Sequence, residues 1–355
     1  MKRTIINAIA SFCSARKVSV GFDGYIDRIL RVRQHDGKGN KYIETMSQFG
    51  SYLVEKAGKS CSLELQQVTE KAGGNMPNYA AALSRLDVDV NCIGALGWPG
   101  IHPLFRDALN GCRLLSVGQP GRCDALEFLD GKVMLAHNQE IDTLDYQALS
   151  ARTDPQEVAR LFAEADMIAF FNWSEMKGAT SIWAGLCDSM VEQVSQPLPM
   201  LVDFSDCSGR SGEEILEIVQ VLQRYQKAFS LYYSLNLNEA EEFAHQLGIK
   251  ANTSQELARA LFRRLQPEMV AIHLLNGCVY AKREQEGYVP NKVIENPALL
   301  TGAGDNFNAG FSFGMMLKLN TEEALLLGNA VSGYYVLHGQ SPNRAQLIDW
   351  LEQYE

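Results

Sequence analysis

The sequence predicts an α/β fold: a mostly parallel sheet covered by helices on both faces, plus a small separate β-sheet inserted in the N-terminal half. Three observations carry that expectation. Helix and strand patterns alternate steadily from Pro155 to Leu274, two hairpin patterns precede them, and a tract of small residues at 300–311 turns abruptly into an apolar helix.

The first element is a short helix over Thr4–Ala15; Asn7 interrupts its apolar stretch and no small-residue cleavage site follows, which argues against a signal peptide. Val18–Phe22 then reads as a buried strand, and Ile26–Val32 alternates as a half-buried strand does. The polar tip 35–40 and Tyr42–Thr45 complete a first hairpin. Asn78–Leu86 is an alanine-rich helix led by Gly73-Gly74-Asn75-Met76-Pro77, and Val88–Leu96 reads as a strand. A second hairpin joins Asp124–Leu129 to Lys132–Ala136 through Asp130-Gly131.

Beyond Pro155 the periodicity predicts helix 156–164, strand 166–171, helix 180–195, strand 199–203, helix 213–227, strand 229–234, helices 238–247 and 253–265, and strand 268–274. The two hairpins do not fit this alternation, so they are assigned to a lid. Its segments run from about 27 to 50 and from about 110 to 140 within a single domain spanning 1–355. No internal repeat or low-complexity linker divides the chain.

Composition narrows the function. A net charge of -10 with no basic stripe argues against nucleic-acid binding. No stretch approaches the ~18 apolar residues of a membrane span. The eight cysteines form no C-x-x-C pair and have no histidine at zinc-ligand spacing, so they read as thiols of a reducing, cytoplasmic protein with small-molecule partners.

The informative tract is Leu300-Thr301-Gly302-Ala303-Gly304-Asp305-Asn306-Phe307-Asn308-Ala309-Gly310-Phe311. Gly302 and Gly304 allow a tight turn, and the first N–H groups of the following helix converge on a spot suited to an anion. A carboxylate there is either an ordinary first-turn acid or, beside the anion site, the base for an attacking hydroxyl; together these are the two elements of phosphoryl transfer. Gly302-x-Gly304 is no dinucleotide fingerprint, because Phe307 stands where a third glycine is needed. Gly58-Lys59-Ser60 is no P-loop, because Leu53 replaces the leading glycine.

With these residues in view, nearly the whole chain resembles the ribokinase-like (PfkB-type) carbohydrate kinases. Gly73-Gly74-Asn75-Met76-Pro77-Asn78 is similar to that family's N-terminal signature, and Thr301–Asp305 with Asn308–Phe311 to its C-terminal one. The resemblance implies a three-layer α/β/α sandwich with a small β lid and the transfer of phosphate from ATP to a sugar hydroxyl. It implies Asp305 as catalytic base and the backbone of Gly302, Ala303 and Gly304 as anion hole. Asp27, Gly73, Gly74 and Asn78 would bind substrate, with Asp23 close enough to compete with Asp27. Asn236, Gly277 and Asn329 would serve the nucleotide. Asn236-Leu237-Asn238-Glu239 resembles the family's N-x-x-E element, which makes Glu239 an outer-shell contact of Mg2+; an Asn and Glu opening a helix also form a common cap.

Departures accompany the match. Leu299 stands six positions before Asp305, where relatives carry an acid that helps hold a monovalent cation, so potassium dependence is doubtful. Leu274 replaces a common glycine in the nucleotide region, and the turn at 97–103 lacks the usual acid. A nucleoside kinase is the close alternative: Phe22, Phe170, Phe171 and Trp173 would either wall a base or pack the core. A sugar- or nucleotide-binding sensor without turnover is a third reading, and a homodimer paired through the lid is also implied.

Overall fold

The computed structural model describes residues 1–13, 16–35, 39–295 and 297–353. The tip of the first hairpin at 36–38 and the end of the first helix pattern at 14–15 lie outside the described residues. In the N-terminal half the strands are β1 (Lys17–Phe22), β2 (Tyr25–His35), β3 (Asn40–Tyr42), β4 (Glu64–Gly73), β5 (Asp89–Gly94), β6 (Arg113–Ser116), β7 (Gly121–Phe128) and β8 (Gly131–His137). They are followed by β9 (Met167–Phe171), β10 (Leu198–Asp203), β11 (Phe229–Asn236), β12 (Met269–Leu274), β13 (Gly277–Lys282) and β14 (Glu286–Pro290).

A nine-stranded sheet runs in the order β14-β13-β12-β11-β10-β9-β1-β5-β6. From β12 to β6 every neighbouring pair is parallel; β13 and β14 add an antiparallel edge. The central strands are apolar on both faces, as a doubly covered parallel sheet requires: all five residues of β9 are buried. Each such side chain removed from water stabilises the fold by ~1.5–3 kcal/mol.

Two apolar layers result. One lies under the helices Pro155–Ala163, Ala179–Gln193, Gly212–Tyr225, Leu237–Gln246 and Ser254–Leu265. The other lies under Asn75–Arg85, Ala303–Met316 and Thr321–His338. The helix and strand patterns expected from the sequence between 155 and 274 all occur, with ends displaced by a few residues.

The two hairpins meet as expected, through a parallel pairing of β2 with β7. The small sheet also holds β4, antiparallel to β2, which the sequence reading did not anticipate. Six of its residues, Glu64–Thr69, are exposed on both faces and carry no apolar alternation. The helix Met46–Glu55, with no buried residue, was likewise not anticipated. The segment 113–116 pairs with β5 in the large sheet, so the second insertion into the small sheet begins at Gly121.

Candidate active site

Five neighbouring parallel strands release polar residues at one end of the large sheet. Asp23 follows β1, Asn172 follows β9, Asp203 ends β10, Asn236 ends β11, and His273 stands one residue before the end of β12. Apolar strands buried on both faces admit such residues only where the chain emerges, and the crevice beyond the carboxyl ends of the strands is where open α/β sheets place ligands.

A cleft of about 660 Å³ occupies that crevice, bounded by the strand ends, the small sheet and the start of the helix Ala303–Met316. Asp27, Gly74, Asn78, Asn236, Glu239, Gly302, Ala303, Gly304 and Asp305, all singled out from the sequence, line it. A second cavity of about 390 Å³ adjoins, lined by Leu274, Leu275, Phe307, Asn329 and Ser332, and sharing Asn236, His273, Ala303 and Gly304 with the first.

The carbonyls at the helix opening are each tied by a side-chain hydrogen bond. Tyr335 donates to the Thr301 carbonyl at 2.7 Å, Asn306 Nδ2 to that of Gly302 at 2.9 Å, and Ser332 to that of Ala303 at 2.9 Å. The first N–H groups of a helix lack partners within it, so those at 304–305 remain for a ligand with the positive end of the dipole behind them. Gly302 adopts φ +92°, and a Cβ there would lie 2.8 Å from the Tyr335 hydroxyl. Glycine is therefore required on both conformational and steric grounds.

Asp305 is buried in the first turn, and its Oδ2 accepts from Asn78 Nδ2 at 2.9 Å. Burial, with the charges of Asp203 and Asp23 nearby, pushes its carboxyl well above the usual range; Asn78 opposes the shift. Such a carboxylate is a better proton acceptor than an exposed one.

The two early aspartates separate clearly. Asp23 is fully buried and caps the helix Asn75–Arg85, accepting from the Asn75 and Met76 N–H groups at 2.7 and 2.8 Å and from Asn172 Nδ2 at 3.0 Å. Asp27 lines the cleft from β2, its carboxyl raised by burial against the lowering effect of Lys71 and Lys132. The glycine pair follows from both acids: a Cβ on Gly73 would lie 2.2 Å from Asp27 Oδ2, and one on Gly74 2.6 Å from Asp23 Oδ2. Gly73 thus makes room for Asp27 without lining the cleft itself.

Asn236 and Glu239 form a reciprocal cap and line the cleft as well. Asn236 Oδ1 accepts from the Glu239 N–H at 2.9 Å, and Glu239 Oε2 from the Asn236 N–H at 2.8 Å. Burial and the charge of Asp203 push the Glu239 carboxyl well up, with Asp305 adding to the shift. Asp203, missed from the sequence, accepts from the Ser205 N–H and Asn308 Nδ2 and is pushed up to about 6, chiefly by burial. Among the described residues no three His, Cys, Asp or Glu side chains group closely enough to hold a metal ion directly.

Other expectations are qualified. Asn329 reaches the second cavity, yet its Nδ2 donates to the Val289 and Pro290 carbonyls. Gly277 lines neither cavity; it sits where β13 crowds Tyr288, whose ring would be 2.5 Å from an added Cβ. Phe22, Phe170, Phe171 and Trp173 are all fully buried core residues and line neither cavity. One contact had no signal in the sequence: Lys132 Nζ, on β8, donates to Thr301 Oγ1 at 2.7 Å and joins the small sheet to the turn that opens the helix Ala303–Met316.

The model of the prokaryotic ketohexokinase family matches residues 4–354. The chain belongs to that family. This prokaryotic ketohexokinase family member is a phosphotransferase of the carbohydrate-kinase class. It is 27% identical over 336 residues to the ketohexokinase of Haloferax volcanii, covering 93% of this chain and 89% of that one. It is 25% identical over 308 residues to the Escherichia coli K12 protein described as the uncharacterized sugar kinase YegV, covering 82% and 86%. Its fold is that of Arabidopsis thaliana ribokinase, solved with ribose and ATP (TM-score 0.62, 17% identity, 96% of this chain and 99% of that one). Adenosine kinase from Sinorhizobium meliloti shares it too (TM-score 0.66, 18% identity, 96% of this chain and 99% of that one).

Proposed function

We propose that this chain transfers the terminal phosphoryl group of ATP to a hydroxyl of a ketohexose. The observation that carries the proposal is the buried Asp305 at the opening of a helix whose carbonyls are tied back, facing a cleft walled by Asp27 and Asn78. The sugar lies under the small sheet, held by Asp27, Gly74 and Asn78, with one hydroxyl directed at Asp305. As that hydroxyl oxygen forms its bond to the terminal phosphorus, its proton passes to Asp305, the bond from that phosphorus to the bridging oxygen breaks, and ADP leaves. The N–H groups at the helix opening stabilise the charge spread over the transferring oxygens. Glu239 would hold a nucleotide-bound Mg2+ through water, and that ion would supply further charge neutralisation. The small sheet acts as a lid that Lys132 fastens to Thr301, excluding water from the transfer.

Leu299 offers no side-chain oxygen to a monovalent cation, which supports turnover without potassium. The second cavity, with Asn329 and Asn236 on its walls, would take the nucleotide base and ribose. Exposed Leu65, Val68, Met134 and Leu135 on the small sheet support its pairing with a second copy. Among the described residues no helix is long and apolar enough to cross a membrane.

ADP formation by the purified protein with Mg-ATP, across ketohexoses, aldoses and nucleosides and with or without potassium, tests this reading. Turnover with a ketohexose in the absence of potassium is expected. Turnover confined to nucleosides, or ATP binding without turnover on any sugar, would replace it with the nucleoside-kinase or sensor reading.

A further inference from the structure

His273 carries a feature that the proposed reaction has not used. Its Nε2 is buried and has no hydrogen-bond partner among the described residues. Leaving such a group unpaired destabilises the fold, and a ligand that pairs with it recovers that loss. It is one of four residues that line both the transfer cleft and the second cavity, the others being Asn236, Ala303 and Gly304. It therefore stands at the passage between them. Its ring packs on Phe307, with centroids 5.1 Å apart, which fixes the imidazole plane. Its Cε1 and Nε2 approach Gly304 so closely that a Cβ there would lie 3.4 and 3.8 Å from them. The ring thus borders the helix opening that gathers anionic oxygens.

Of the other residues at that passage, Asn236 has its Oδ1 committed to the Glu239 N–H and presents its Nδ2 as a further donor, while Ala303 and Gly304 offer backbone N–H groups. Burial depresses the imidazole to about 4, so at neutral pH it is uncharged and carries one N–H. Phosphate oxygens present lone pairs and need donors.

Building on the phosphotransfer reading, we propose that His273 Nε2–H donates a hydrogen bond to the phosphate chain of the bound nucleotide where it passes from the second cavity into the transfer cleft. His273 is then a ligand for the phosphates and contributes nothing to the recognition of base or ribose.

Calorimetric titration of Mg-ATP, Mg-ADP and adenosine into the full-length wild type and the variants His273→Phe, His273→Leu and His273→Gln tests it. Loss of one hydrogen bond to a charged group should weaken ATP and ADP by roughly 10- to 100-fold in the Phe and Leu variants. Adenosine affinity should stay within about twofold, and Gln, which keeps a donor, should recover part of the loss. Two donor-free variants of different volume guard against one failing to fold. Unchanged ADP affinity in either folded donor-free variant overturns the inference, as does equal loss of ADP and adenosine, which would make the ring a packing element of the pocket. A wild type that binds neither ATP nor ADP would instead overturn the nucleotide reading on which the inference stands.

Discussion

Replacing Asn78 by alanine removes the side-chain hydrogen bond that, among the described residues, holds the Asp305 carboxylate, and the pH profile separates that loss from the loss of a sugar contact. The amide donates at 2.9 Å to Oδ2 of a buried carboxylate whose remaining influences, burial and the charges of Asp203 and Asp23, all favour the protonated form. A hydrogen bond to a charged group contributes ~1.5–3 kcal/mol, and 1.36 kcal/mol corresponds to a factor of ten in the protonation equilibrium. The deprotonated fraction of Asp305 at a fixed pH on the acid limb should therefore fall by roughly 10- to 100-fold, and kcat/KM for the sugar with it. Because the bond favours the charged form, its loss moves the acid limb of the profile to higher pH, and activity recovers as pH rises. Loss of a sugar contact would instead lower kcat/KM by the same factor at every pH. Steady-state kinetics from pH 5.5 to 9.5, as a chosen range of roughly four units, separates the two. An Asn78→Ala profile that coincides in shape with the wild type would refute the reasoning, however large the loss of rate.

Asp305→Asn should lower kcat by ~10²- to 10⁴-fold while sugar and nucleotide still bind, measured by turnover and titration side by side; undiminished turnover would remove Asp305 from the chemistry. Gly73→Ala places a Cβ 2.2 Å from Asp27 Oδ2 and should raise the sugar KM more than it lowers kcat, with the ATP KM unaffected. Lys132→Ala removes one lid-to-loop hydrogen bond of ~0.5–1.5 kcal/mol, so the ratio of wasteful ATP hydrolysis to sugar phosphorylation should rise about 2- to 10-fold. Asp203, raised in the fold from 3.8 to about 6, stabilises the native state fully below pH ~4 and loses that contribution as pH rises through about 6, on the order of 3 kcal/mol in all. Melting temperatures of Asp203→Asn should therefore gain on those of the wild type between pH 4 and 7; parallel curves would show that the acid is not held against its charge.

Much of the frame was legible from local pattern. Continuous apolar runs such as Met167–Phe171 mark doubly buried strands, Asp130-Gly131 marks a hairpin, and the abrupt passage from Thr301-Gly302 marks the opening of a helix, because each depends on residues close together in the chain. β4 escaped because its exposed residues, bonded through their backbone to β2, need no apolar alternation.

The site divides in the same way. The sequence by itself determined that Asp305 opens a glycine-rich helix, and that Asn236 and Glu239 cap another, since capping and turn chemistry act over three or four residues. Only the tertiary structure decided that Asp23 caps a helix 52 residues away while Asp27 faces the cleft, that Asn78 touches Asp305 across 227 residues, and that Asp203 and His273 come to the same crevice. A polar residue at the end of an apolar strand is a signal each of the last two gave. Which of those ends share a cleft depends on the order of strands in the sheet, and that order is fixed by long-range packing rather than by any local stretch of chain.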